Sequence, residues 1–130
     1  MKAVMIAVML VLSLMTGADA RCSSTSASSL SLRAQALWGQ IKRSFPDAVI
    51  VSARRCGATI AGTGQPSYHA SGNAIDWKTR SFAAGVAWSR KHAPGLTMTY
   101  PGGSHIHSDV GRWKAYAHGY GGRRARYAGR

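Results

Sequence analysis

Ser67-Tyr68-His69-Ala70-Ser71-Gly72-Asn73-Ala74-Ile75-Asp76-Trp77 decides how this chain is read, and His105-Ile106-His107-Ser108-Asp109 completes the reading. The first stretch passes a Gly-Asn turn and ends on the apolar run from Ala74 to Trp77, the pattern of a buried strand. The second reads as another strand. Side chains alternate along a strand, so His105 and His107 share one side while Ile106 faces the core. If the two strands are neighbours, His69, Asp76, His105 and His107 converge. Two imidazoles and one carboxylate are a normal three-ligand set for a catalytic zinc, with a fourth position left open to water. The competing reading pairs Asp76 with a buried Arg and treats the histidines as satisfied core residues.

Composition bears on that choice. The 130 residues include four acids, all Asp. Asp19 falls in a segment read below as a signal peptide, which leaves Asp47, Asp76 and Asp109 for the working protein. An apolar strand is a costly place for a carboxylate unless it is paired or binds a metal.

These residues resemble a known family. His69 and Asp76, in the context S-x-H-x-x-G-x-A-x-D, followed by H-x-H at His105 and His107, are similar to the zinc D-alanyl-D-alanine carboxypeptidases. Their wider clan includes VanX-type dipeptidases, phage L-alanyl-D-glutamate endolysins, penicillin-insensitive murein endopeptidases and the hedgehog signalling domain. The likeness covers roughly Ser52 to Gly111. It implies an α+β fold, a small antiparallel sheet with helices packed on it. It implies zinc ligation by His69, Asp76 and His107, and it places His105 beside the reacting centre. An Arg upstream of the first ligand binds the substrate in that family. The pattern Ser52-Ala53-Arg54-Arg55 carries this role onto Arg55. One position departs. Many members have an acid three residues before the last ligand as general base, and here Ser104 stands there. Either His105 is the base, as in the H-x-H murein endopeptidases, or the domain binds zinc without efficient catalysis.

Outward from this centre the chain divides into four parts. Residues 1–20 read as a signal peptide: Lys2, an apolar run from Ala3 to Leu14, and an Ala18-Asp19-Ala20 cleavage site. Residues 21–29 are a Ser-rich leader, expected to be mobile. Residues 30–116 are the zinc peptidase-like domain, and 117–130 a basic Gly/Arg/Tyr tail whose default is disorder or a loose strap. The two cysteines, Cys22 and Cys56, read as one disulfide in an oxidising compartment, with two free thiols as the rival.

Within the domain, Leu30, Ala34, Leu37, Trp38, Ile41 and Phe45 recur at helical spacing. They predict a helix from Leu30 to Phe45, capped by Ser28 or Ser29 and ended by Pro46. Ala48 to Ala53 is a β-branched strand that delivers Arg54 and Arg55. Gly57 to Pro66 is a loop that could rim a cleft, and Tyr68 either lines that cleft or fills a gap. Ser81 is expected to cap a second helix, Phe82 to His92, stopped by Pro94-Gly95. His92 suits the negative end of that helix. Leu96 to Tyr100 and the strand beginning at His105 form a hairpin around Pro101-Gly102-Gly103. Asp109 shares a face with His107, either orienting that imidazole as a second acceptor or making a surface ion pair.

Seventeen Lys and Arg against four Asp give a net charge of +13. Losing Lys2 and Asp19 removes one charge of each sign and leaves it unchanged. Such a field attracts polyanions and weakens with salt. In a cytosolic protein this would point to nucleic acid. The expected export points instead to anionic envelope polymers, in the periplasm or outside the cell, with no nucleic acid and no transmembrane segment in the mature chain. The expectation is therefore an exported, zinc-dependent peptidase of peptidoglycan stem peptides. The alternative is a non-catalytic, zinc-stabilised module that binds cell wall or polyanions.

Overall fold

A computed structural model describes residues 22–60, 63–100 and 102–118. The signal-peptide reading of residues 1–20 and nearly all of the basic tail lie outside them. No helix among the described residues is long and apolar enough to cross a membrane.

The elements are α1 (Leu32–Ser44), β1 (Val49–Ser52), β2 (Ala74–Lys78), α2 (Phe82–His92), β3 (Leu96–Thr99), β4 (Ile106–Asp109) and β5 (Ala115–His118). The fold is α+β: one five-stranded sheet in the order β1-β2-β4-β3-β5, with two helices. The first four strands pair antiparallel, including the hairpin of β3 and β4 expected around residues 101–103. The sheet as a whole is mixed, because β5 runs parallel to β3. The chain leaves β4, crosses the end of the sheet and adds β5 on the far side of β3, so residues 117 and 118 belong to the sheet rather than to a tail.

Strand alternation gives the sheet two different faces. Ile106, Trp77 and Ser108 point toward α2. A Cβ added at Gly85 would touch the side chains of Ile106, Thr79 and Trp77, so only glycine lets α2 approach this closely. The Trp77 indole is fully buried and donates to Ser108 Oγ at 2.9 Å. Ser108 in turn bonds Ser89 Oγ, which reaches Thr97 Oγ1, so the polar atoms on this face satisfy one another. Phe45, at the end of α1, packs on Trp77 and Trp88. Leu37 and Ile41 bury the inner stripe of α1. Asp76, His107 and Asp109 point to the opposite face, and all three are buried there as well.

Two local expectations change. The helix starts at Leu32, and its cap is Ser31, whose side chain accepts from Ala34 N–H. Ser28 and Ser29 instead lie in a separate 3-10 turn, Ala27–Ser29, capped by Ser26. Several serines in a row can each cap, and only the path of the chain chooses among them. Ser81 precedes α2 but makes no side-chain cap bond.

The Ser-rich segment is also tied to the sheet. Ser24 exchanges backbone hydrogen bonds with Ala53 and Arg54, and Ser23 bridges Arg55. Cys22 and Cys56 are joined in a disulfide 34 residues apart in sequence. Closing a loop of that length restricts the unfolded chain by about 3–4 kcal/mol. Cys22→Ser is expected to lower the denaturation free energy by about that amount. A urea midpoint equal to that of the oxidised parent would show that the bridge adds nothing.

Candidate metal centre

Pairing register builds the centre. Asp76 on β2 lies directly opposite His107 on β4. His69 arrives from the turn before β2. Backbone bonds from Gly72 N–H to His69 O and from Arg55 N–H to His69 O hold that turn against the end of β1. Three atoms then face one another: His69 Nε2 to Asp76 Oδ1 at 3.1 Å, His107 Nδ1 to Asp76 Oδ1 at 2.9 Å, and His69 Nε2 to His107 Nδ1 at 3.2 Å.

The far side of each ring shows what those atoms carry. His69 Nδ1 lies 2.5 Å from the carbonyl of Ala53, which can only accept, so Nδ1 holds the proton and Nε2 presents a lone pair. His107 Nε2 donates to Asp109 Oδ2 at 3.4 Å, which turns Nδ1 inward. Asp109 Oδ1 accepts from the backbone N–H groups of Leu96 and Gly111, which fixes the carboxylate. Gly95 leaves it room, since a Cβ there would overlap Asp109 Oδ1. With neutral imidazoles, two nitrogen lone pairs and a carboxylate oxygen converge with no hydrogen between them. That arrangement requires a cation, either a proton or a metal ion.

The donor set fits zinc. Tetrahedral ligands about 2.0–2.1 Å from a zinc stand about 3.3 Å apart, close to the edges of this triangle. The three residues form the group able to hold a metal ion among the described residues, and each offers one donor. The chemistry of two imidazoles and a carboxylate admits other transition metals too.

The second oxygen of Asp76 faces the remaining predicted residues. Arg55 Nη2 is 3.8 Å from Asp76 Oδ2, and His105 Nε2 is 3.9 Å from it. The Arg55 side chain is 46% exposed, so its guanidinium spans from the buried carboxylate to solvent. His105 is partly buried, packs on the Tyr100 ring and bonds Ser104 Oγ through Nδ1 at 2.9 Å. Every residue singled out for the site is therefore within reach of one carboxylate or of a residue bound to it. Tyr68 is exposed, with its ring against Gly111. In the loop before it, Thr59 bridges Pro66 and the Ile60 N–H donates to the Gln65 carbonyl. Sequence reading missed the Ala53 carbonyl, a backbone group that carries no residue signature.

Burial pushes the Asp76 carboxyl up, and its close contacts with His107 and His69 more than reverse this, holding it well below the usual carboxylate range. Burial disfavours a charged His107, yet the hydrogen bonds it donates to Asp109 and Asp76 win and raise it from about 6.5 to about 9. His105 moves the other way. Burial lowers it, Asp76 opposes, and the charges of His107, Arg55 and His69 add to the lowering.

Metal binding must therefore displace a proton from His107. Apparent zinc affinity is expected to rise roughly ten-fold per pH unit and to level off near pH 9, as followed by chelator competition. The metal-free fold has the opposite dependence. A folded-state value above the unfolded one stabilises fully below about pH 6.5 and is lost as pH rises through about 9. A pH-independent zinc affinity would show that His107 carries no proton to displace.

No protein-family model, curated protein or solved structure matches this chain.

Proposed function

We propose that the protein is a zinc-dependent peptidase acting on the stem peptides of peptidoglycan. The observation that carries this reading is the division of labour at Asp76. One oxygen completes a three-donor triangle with His69 and His107, and the other faces Arg55 and His105. The family resemblance of the same residues supplies the substrate class.

His69, Asp76 and His107 would hold the ion. One carboxylate and two neutral imidazoles neutralise only half of a dication's charge. When bound, zinc supplies Lewis-acid polarisation of a carbonyl and lowers the pKa of a water molecule. His105 is kept neutral near pH 7 by its surroundings, so its Nε2 can accept a proton. Ser104 takes no proton itself. It bonds the opposite nitrogen of His105 and orients the ring, which suits His105 as the base. Arg55 brings positive charge where negative charge develops, and its guanidinium can grip a peptide carboxylate with two parallel bonds.

The disulfide and the excess of cations fit an exported protein held near an anionic envelope. The test is zinc content of the purified protein together with digestion of purified peptidoglycan, read by mass spectrometry. One zinc per chain with new peptide fragments is expected. Zinc without fragments would leave a zinc-stabilised binding module, and the absence of both zinc and fragments would refute the site.

A further inference from the structure

We propose that the loop between β4 and β5 is a docking site for an anionic lipid bilayer, anchored by Trp113. Trp113 is 77% exposed, the most exposed aromatic side chain among the described residues. An indole facing water to that degree contributes little to the fold, and Trp favours the headgroup level of a membrane, where its ring is dry and its N–H is wet.

Its surroundings supply the charge. Arg112 and Lys114 flank it in sequence, and both are exposed. Lys114 Nζ donates to the Lys91 carbonyl at the end of α2, which brings the loop against that helix end. Arg90 lies there too, with its guanidinium carbon 4.2 Å from the Tyr116 ring centroid. Arg90, Lys91, Arg112 and Lys114 thus lie on the Trp113 loop and on the helix end it meets. None of them has an acidic partner among the described residues. Asp76 and Asp109 are buried at the metal centre, and Asp47 is engaged by Arg80 and Thr79.

The shape favours lipid over a soluble polyanion. A nucleic-acid strand is followed by a groove of cations with successive stacking rings. Here a single exposed indole projects outward between two flanking cations, Arg112 and Lys114. An anionic bilayer needs only that, with each nearby cation worth about five-fold in partitioning and the inserted ring about ten-fold or more. The patch uses no residue of the metal centre, so it stands whether or not the protein is a peptidase.

The test is sedimentation of the full chain with two vesicle preparations: phosphatidylcholine alone, and phosphatidylcholine with about one-third phosphatidylglycerol. Binding to the anionic vesicles only, weakened by salt and with a blue shift of tryptophan emission, is expected. Trp113→Ala should weaken it about ten-fold and remove the shift. Arg112→Gln with Lys114→Gln should weaken it about twenty-five-fold. Trp113→Ala should leave the melting temperature unchanged, and circular dichroism of the double variant, which also loses the Lys114 bond to Lys91, separates lost docking from lost folding. Equal binding by the parent and Trp113→Ala would overturn the proposal. So would equal binding to neutral vesicles, or binding to single-stranded DNA with none to vesicles.

Discussion

His69→Ala is expected to lower zinc affinity by at least about a hundred-fold, because it removes one of only three protein donors from a site whose whole binding energy is of order 10 kcal/mol. Asp76→Ala should do at least as much and for two reasons. It removes a ligand, and it takes away the carboxylate toward which His69, His107, His105 and Arg55 all turn. Isothermal titration reads the affinity. Thermal melting gives an independent check, since zinc at a hundred times its dissociation constant adds about 2.7 kcal/mol to the parent. That increment should vanish in both variants. Circular dichroism at low temperature separates a lost ligand from a lost fold, which matters because His69 is itself buried against the Ala53 carbonyl. Parent-like zinc affinity in either variant would remove the metal centre, and the proposed peptidase with it.

His105→Ala makes the opposite pattern of demands. His105 is no part of the donor triangle, so zinc content should stay at one per chain. Turnover on peptidoglycan should fall by about 10²–10⁴, the usual contribution of a positioned acid or base. The acidic limb of the rate profile should also change. The neutral form of His105 is favoured by burial and by nearby positive charge, so the parent's rate should fall only below the ordinary histidine range. That limb should disappear with the imidazole. If turnover survives the substitution, His105 is not the base. Ser104→Ala is a milder companion. It loses the bond to Nδ1 and should slow turnover less than loss of the ring, because it orients the base without replacing it.

Much of the site could be read along the chain because a strand imposes a strict period of two. His107 and Asp109 share a face for that reason alone, His105 just before the strand keeps to the same side, and the buried run from Ala74 to Trp77 marked Asp76 as a carboxylate with a purpose. The second helix shows the same legibility: its residues, Phe82–His92, are those expected from Ser81 before it and Pro94 after it. Other features were less legible. Ala115–His118 has only four residues, and nothing local distinguishes a parallel edge strand from the start of a tail. Its pairing depends on the free edge of β3, which lies sixteen or more residues earlier in the chain. The start of α1 among consecutive serines was ambiguous because each hydroxyl can accept from a backbone N–H two or three residues on.

Local sequence, then, determined the strand faces, the position of the second helix and the residue types that meet at the centre. These follow from periodicity and side-chain chemistry, which act over a few residues. Only the tertiary structure decided that the sheet is mixed, that Asp76 stands opposite His107, and that the Ala53 carbonyl and Asp109 set the two imidazole tautomers. Those depend on which strands become neighbours and in what register. That choice is made by burying Ile75, Trp77 and Ile106 on one face of the sheet, and the polar residues on the other face are brought together as its consequence.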